Sequence, residues 1–219
     1  MTTHLMPRLT ALAALSVLIA PATALAHPHV FADARLEIET SADGHIVELR
    51  NVWRFDEVFS SSVIMDFDLN ADMKLDAGEL AQIGDMVTQS LADFDYYTNV
   101  TVNGKDIGIS LPEKIKVDYQ DGQLLMFFAL TPTKAMQLKG KIAVGVYDPT
   151  MYAALDFIED ADMAVTGEAA SLCTSKVVRP DFDEIIMQNQ ASLTEAFFET
   201  TGSGDLSKLL ATRLELECK

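Results

Sequence analysis

Side chains that carry oxygen recur at fixed intervals in the segment DLNADMKLDAGE, which spans residues 68–79. Positions 1, 3, 5, 9 and 12 of this segment are Asp68, Asn70, Asp72, Asp76 and Glu79. Lys74, at position 7, can contribute its backbone carbonyl, which is all that this position requires. A hard dication such as Ca²⁺ takes about six to eight oxygen ligands, and a loop of this length can wrap them around one ion. The spacing therefore predicts a calcium site over residues 68–79.

This spacing is that of an EF-hand loop, and only one reading frame satisfies it. A frame that starts at Asp66 places Ala77 at position 12 and loses the carboxylate that binds through both oxygens. Position 6 departs from the pattern, because Met73 stands where glycine normally supplies a positive φ, at a cost of about 1 kcal/mol. We therefore expect weak calcium binding, which suits the higher calcium concentration outside the cytoplasm. The bound ion would stiffen the loop. The alternative is an acidic, solvated loop without an ion.

Two histidines lie close to the start of the chain, in the stretch AHPHVF. Cleavage after Ala26 would leave His27 with both its α-amino nitrogen and its imidazole available to chelate one metal ion. His29 could add a second imidazole from the same face of a strand. Neutral nitrogen donors suit Zn²⁺, Cu²⁺ or Ni²⁺ better than Ca²⁺, so the pair predicts a transition-metal site, with zinc preferred. The alternative is that both histidines are exposed terminal residues without a ligand role.

A tetrahedral zinc site needs one or two further ligands, and carboxylates at the ends of strands are the simplest source. Asp56 and Glu57 end a predicted strand in the stretch WRFDE, and Asp148 follows another strand in IAVGVYDP. We take Asp56 and Asp148 as the candidate ligands on their position alone.

The first 26 residues have the pattern of a secretory signal peptide. A single basic residue precedes a short apolar run at residues 9–20, and an Ala-x-Ala sequence ends at Ala26. This apolar run is too short to span a bilayer. We therefore predict cleavage after residue 26 and a single periplasmic domain over residues 27–219.

Net charge, the motifs present and the number of cysteines indicate which kinds of protein this chain can be. The chain carries 33 acidic and 16 basic residues, a net charge of −17, which repels nucleic acid and favours cations or basic partners. No GxSxG, Walker-type loop or dinucleotide-binding glycine motif occurs, so the sequence indicates a protein that is not an enzyme. Cys173 and Cys218 are predicted to form a disulfide, because an exported chain folds in an oxidising compartment.

Alternating apolar and polar residues predict strands in several parts of the chain. Residues 30–39 and 47–55 form a predicted hairpin around the turn dipeptide Asp43-Gly44. Within residues 57–97, apolar residues recur every three or four positions, which predicts two helices that flank the calcium loop. Short strands separated by turn dipeptides follow over residues 100–146. The predicted fold is α+β, a small antiparallel β-sandwich with an N-terminal hairpin and an inserted EF-hand-like helix-loop-helix.

At AHPHVF, VWRFDEVFSS and VGVYDPTMY the sequence resembles a family of exported bacterial proteins, described as the periplasmic component of an ABC-type transport system. Members of that family accompany NicO-like nickel/cobalt permeases, and ZevA-like zinc-uptake proteins are among them. The resemblance is strong over residues 27–178 and implies that His27 and His29 open the mature protein. Its other two motifs correspond here to Trp53, Phe55, Asp56 and Glu57, and to Tyr147, Asp148 and Pro149. Their aromatic residues are expected in the core, and the calcium loop is not implied by the resemblance.

The leading hypothesis is a non-enzymatic periplasmic protein that binds zinc near His27 and His29 and serves a NicO-like membrane permease. Calcium in the loop at residues 68–79 would stiffen the helical insertion. Two alternatives remain open at this point: a calcium-stabilised adhesion or interaction module without a transition metal, and an oxidative copper enzyme built on the amino-terminal chelate. Oxidant-dependent turnover separates copper from zinc, because zinc has no redox chemistry.

Overall fold

The computed structural model describes residues 28–188 and 203–219. Its first elements are β1 (Val30–Thr40), β2 (His45–Phe55), α1 (Glu57–Phe67), α2 (Ala77–Ser90), β3 (Thr98–Val102), β4 (Lys105–Ile107), β5 (Lys116–Gln120) and β6 (Gln123–Leu130). Then come β7 (Met136–Gln137), β8 (Gly140–Val146), β9 (Ala153–Asp156), β10 (Met163–Gly167), β11 (Cys173–Val178), α3 (Phe182–Gln188), α4 (Ser203–Leu210) and β12 (Arg213–Cys218). Short 3-10 segments lie at Ala92–Tyr97, Asp160–Asp162 and Ala170–Leu172. The presence of both helices and strands agrees with the predicted α+β class.

The strands form two sheets. The larger sheet has the order β10-β1-β2-β6-β5, with β9 also beside β1 and β7 also beside β2. The smaller sheet has the order β11-β12-β8-β3-β4, and its neighbours are all antiparallel. The larger sheet differs from a fully antiparallel arrangement at one edge, because β9 and β10 pair with β1 in parallel. Parallel neighbours need a long connection, and both strands follow β1 only much later in the chain.

The hairpin of β1 and β2 forms where alternation and turn chemistry coincide, as predicted. In β1 every second residue from Val30 to Thr40 is buried, which places one face of the strand on the core. The turn at Asp43-Gly44 needs a backbone conformation that suits glycine, since Gly44 has a φ of 80°. The helix-loop-helix of α1 and α2 then separates this hairpin from β3.

Both sheets contribute side chains to one buried apolar cluster. Leu36, Ile38, Leu49, Trp53 and Phe55 come from the larger sheet, and Val100, Ile142, Val144, Leu214 and Leu216 from the smaller. The two sheets are therefore layers around a single core. Trp53 and Phe55, the aromatic residues of the second family motif, lie in this cluster, as expected.

Cys173 and Cys218 form a disulfide, as predicted. The two residues face each other in the antiparallel register of β11 and β12. The bridge therefore ties the last strand to the edge strand of the smaller sheet. Within residues 28–188 and 203–219, no helix has the length and apolar character needed to cross a membrane.

Asn51 is a polar residue in the middle of this core. Its side chain is 1% exposed, and both amide atoms lack a hydrogen-bond partner among the described residues. Burying an amide without partners costs free energy that an apolar side chain of similar size avoids. We expect the substitution Asn51→Leu to raise the free energy of unfolding by about 1–2 kcal/mol, measured by urea denaturation. A loss of stability would instead mean that the amide is bonded in the folded protein.

Candidate functional site

Polar contacts fix helix α1 to the larger sheet and helix α2 to the segment that leads into β5. In α1, the Ser60 hydroxyl is buried and accepts a hydrogen bond of 2.9 Å from the backbone N–H of Leu124. In α2, Thr88 Oγ1 accepts from the backbone N–H of Ile115 at 3.0 Å. Gly84 approaches the same segment so closely that a Cβ would clash with the Ile115 carbonyl. The loop therefore connects two helices that are each held in place by contacts with other parts of the fold.

The backbone of this loop has a positive φ at positions 4 and 6, and the EF-hand spacing predicts the second of these. Met73, at position 6, has a φ of 63°, and Ala71 has a φ of 60°. The left-handed conformation is unfavourable for both side chains, so the sequence of turns is imposed by the loop as a whole. The prediction of a positive φ at position 6 is confirmed, with methionine in the place that usually holds glycine.

The polar side chains at positions 1, 3 and 5 are turned onto the backbone of the loop. Asp68 accepts hydrogen bonds from the N–H groups of Asp72 and Met73, at 3.1 and 2.7 Å. Asn70 accepts from the Asp72 N–H at 2.9 Å, and Asp72 accepts from the Lys74 N–H at 2.9 Å. These bonds hold the three acceptor groups along one short stretch of chain.

Glu79, at position 12, links the two ends of the loop. Its side chain is 4% exposed, and its two carboxylate oxygens accept from the N–H groups of Leu69 and Asp76, each at 2.8 Å. Asp76 caps helix α2 in return, because it accepts from the N–H groups of Gly78 and Glu79. A buried carboxylate with both oxygens engaged is a strong local constraint.

The acidic side chains of the loop do not converge on one point in this structure. Across the described ranges, no group of three or more His, Cys, Asp or Glu side chains is arranged to hold a metal ion. Their oxygens bind backbone N–H groups, and calcium ligation would require these side chains to close around the ion. The predicted ligands Asp68, Asn70, Asp72, Lys74, Asp76 and Glu79 therefore share one loop, and their ligand role stays a prediction.

Three of the predicted transition-metal residues, His29, Asp56 and Asp148, lie near the start of β1. His27 and the predicted signal peptide, residues 1–26, fall outside the described residues. His29 is exposed, and its backbone N–H donates a hydrogen bond of 2.8 Å to the carbonyl of Tyr152. The centroids of the His29 imidazole and the Tyr152 ring lie 5.1 Å apart. The imidazole is therefore placed at the start of β1, beside the strand β9 that pairs with it.

The two candidate carboxylates are close to this strand start, and both are engaged. Asp56 caps α1 through the N–H groups of Val58 and Phe59 and also accepts from Phe31 N–H at 3.3 Å. Asp148 is buried, and it accepts from the N–H and hydroxyl of Thr150 and from the N–H of Ala153. The structure thus brings His29, Asp56 and Asp148 to one region without assembling them into a ligand group.

Tyr97 is a neighbour of this region that the sequence analysis did not single out. Its ring stacks on Trp53 with centroids 5.9 Å apart. Burial raises the pKa of the Tyr97 phenol well above its usual range, and the negative charge of the nearby Asp148 carboxylate raises it further. No sequence signal marks this pair, because Tyr97 and Asp148 meet only through the pairing of β3 with β8.

Comparison with known proteins gives a family match over most of the chain and a distant relative. A family model described as "Protein of unknown function (DUF1007)" matches residues 12–218. The chain is also similar to the uncharacterized 15.5 kDa protein in the trpE 3′ region of Spirochaeta aurantia. The two are 24% identical over 103 residues, which cover 47% of this chain and 74% of that protein.

Proposed function

Because this chain belongs to the DUF1007 family of unknown function, we propose its function from its own geometry together with the resemblance described above. The protein is a periplasmic, non-enzymatic accessory protein of transition-metal transport, and its helix-loop-helix binds calcium. The Cys173–Cys218 disulfide supports a location outside the cytoplasm, since such bridges persist in oxidising compartments.

The loop between α1 and α2 carries this proposal. Three features that calcium loops share occur together here: oxygen-bearing residues at the required spacing, a positive φ at position 6, and a glutamate at position 12. The helices on either side are each held by contacts with other parts of the fold, so an ion bound between them would stiffen the whole insertion.

Heat denaturation in calcium and in chelator tests the calcium part of the proposal. For a dissociation constant in the range of extracellular modules, about 10 mM calcium should add about 2 kcal/mol of stability and raise Tm by about 5 °C. Magnesium at the same concentration serves as the control and should shift Tm much less, because it loses its water reluctantly. Equal Tm values in calcium and chelator would contradict the proposal.

The transition-metal part rests on the amino-terminal histidines. In a chain that begins at His27, the α-amine and imidazole of that residue and the imidazole of His29 would supply nitrogen donors suited to zinc. His29 fits this role, because its side chain is exposed at the strand start. A NicO-like membrane permease would be the partner that exchanges metal with this site.

Titration calorimetry with zinc tests this part. Zinc is added to metal-stripped protein that begins at His27, with calcium in excess to fill the loop. We expect micromolar binding, about −8 kcal/mol, that is lost when His27 and His29 are both replaced by alanine. His45→Ala, which changes a histidine at the start of β2, is the matched control and should leave zinc binding intact. Zinc binding that does not depend on His27 and His29 would exclude the histidine site.

The second candidate function is a calcium-stabilised interaction module without a transition metal. One observation favours it: the carboxylates of Asp56 and Asp148 already accept several hydrogen bonds each, so recruiting them as zinc ligands would break local structure. The same zinc titration distinguishes the two candidates, since the interaction module predicts no zinc binding by the wild-type chain.

A further inference from the structure

Residues from both sheets line a groove at strands β4 and β7. Its volume is about 980 Å³, which is within the range of pockets that hold small molecules. The β3–β4 hairpin of the smaller sheet contributes part of the lining, and the connection from β6 to β8, which includes β7, contributes much of the rest. None of the described lining residues belongs to the predicted calcium loop or to the predicted histidine site.

The charge along this groove is opposite to that of the chain as a whole. Acidic residues outnumber basic ones by 33 to 16 in the sequence. In the groove, Lys134 and Lys139 contribute ammonium groups, and Asp106 is the one acidic side chain among the described lining residues. Asp106 is itself paired with Lys208, whose Nζ lies 3.4 Å from a carboxylate oxygen. Lys219 also lines the groove but is not counted, because as the last residue of the sequence it carries a carboxylate beside its ammonium.

The ammonium groups of Lys134 and Lys139 are available to a ligand. Both residues are exposed, and within the described ranges neither lies at salt-bridge distance from a carboxylate. Each ammonium carries three hydrogen-bond donors and no acceptor. An anion can therefore bind to these two lysines without first breaking an ion pair.

The side-chain amide of Asn103 adds a neutral donor that is held in place. Its Oδ1 accepts a hydrogen bond of 3.0 Å from the backbone N–H of Lys141. Gly140, which also lines the groove, approaches so closely that a Cβ there would lie 2.7 Å from Asn103 Oδ1. Because Oδ1 is engaged by the backbone, the Nδ2 hydrogens are the groups that this side chain offers to a ligand.

The rest of the lining includes apolar side chains. They are Val102, Ile107 and Met136. The groove is far larger than an inorganic ion, so a ligand that fills it needs an organic body as well as charge. A nucleic acid or an anionic membrane would extend beyond the groove and meet the net negative charge of the protein. We propose that this groove binds a small organic anion, with its carboxylate or phosphate groups at Lys134, Lys139 and the Asn103 amide.

Chemical-shift mapping by NMR tests this proposal with three probes that share a chain of three methylene groups. The isotope-labelled chain that begins at His27 is titrated in metal-free buffer with glutarate, with trimethylene bisphosphate, and with glutaramide as the neutral control. We expect saturable shifts of the Gly108 and Gly140 amides with at least one anion, at a dissociation constant of about 1 mM, and none with glutaramide. Comparison of the two anions distinguishes a carboxylate ligand from a phosphate ligand.

A pair of double variants separates the groove from the overall charge of the protein. Lys134→Gln with Lys139→Gln should weaken anion binding at least about tenfold at an unchanged Tm, because both residues are exposed. Lys116→Gln with Lys176→Gln removes the same two charges at exposed positions outside the groove. This control should bind the anion like the wild type.

The substitution Asn103→Asp tests the amide. Aspartate keeps an oxygen for the Lys141 N–H and tolerates the φ of 49° at this position. It replaces the Nδ2 donor by a negative charge, so we expect anion binding to be lost at an unchanged Tm.

Four results would overturn the proposal. One is the absence of saturable shifts of the groove amides with either anion up to about 10 mM, and another is glutaramide that binds as tightly as glutarate. A Lys134, Lys139 double variant that loses no more binding than its control would show that overall charge governs the interaction. An Asn103→Asp variant that still binds would place the anion outside the groove.

Discussion

Replacing Cys173 and Cys218 together by alanine should lower the free energy of unfolding by about 4 kcal/mol. The bridge closes a loop with a sequence separation of 45 residues, and removing it lets the unfolded chain explore many more conformations. The same loop contains β12, which lies between β11 and β8 in the smaller sheet. Removing the disulfide therefore loosens a strand in the interior of that sheet. We expect Tm to fall by about 10 °C.

Urea denaturation of the double variant measures this effect. Wild-type protein unfolded in the presence of a thiol reductant should show the same loss, because it lacks the same bond. Ser175→Ala changes an exposed residue of β11 and is the matched control, for which we expect little change. A double variant as stable as the oxidised wild type would mean that the pairing of β11 with β12 holds this edge without the bridge.

The substitution Glu79→Gln should weaken calcium binding on the order of 100-fold. A glutamine can offer calcium only one neutral oxygen, whereas the wild-type carboxylate offers two oxygens and a negative charge. In chelator the same change should cost about 1 kcal/mol, because Glu79 accepts charge-assisted hydrogen bonds from Leu69 and Asp76 at the two ends of the loop.

Calcium titration and heat denaturation of the Glu79→Gln variant measure both effects. Glu57→Gln is the matched control, since Glu57 is an exposed glutamate at the start of α1 and should change neither quantity. The prediction fails if Glu79→Gln retains the calcium response of the wild type, which would place any bound calcium outside the loop.

Local patterns were sufficient to predict the elements that surround the predicted calcium loop. The alternation in β1 and the turn at Asp43-Gly44 act over a few residues, and the structure contains both. The change to a helical period after residue 57 predicts α1 and α2, and the structure places them at Glu57–Phe67 and Ala77–Ser90. Such features depend on neighbouring residues, so a single sequence reveals them.

Contacts between distant segments could not be predicted in this way. The parallel pairing of β9 and β10 with β1 depends on the path of the chain through two sheets, and no local period encodes it. The approach of Tyr97 to Asp148, a carboxylate that position alone suggested as a metal ligand, has the same origin, because it depends on the pairing of β3 with β8.

The two candidate sites also differ in whether their residues are close together in the sequence or come from distant segments. The predicted calcium loop is contiguous, so its spacing and the turn at Met73 follow from the sequence. The histidine site needs residues from several strands, and the structure brings His29, Asp56 and Asp148 near the start of β1 without making them a ligand group. Predicting that outcome requires knowing the hydrogen bonds that each carboxylate already accepts.

Titration calorimetry of calcium into chelator-treated wild-type protein is the most direct measurement of the central claim, that the loop of residues 68–79 binds calcium. We predict one site per chain with a dissociation constant between about 10⁻⁴ and 10⁻³ M, lost in the Glu79→Gln variant. The absence of saturable binding up to about 10 mM calcium would contradict the claim, as would an unchanged dissociation constant in Glu79→Gln.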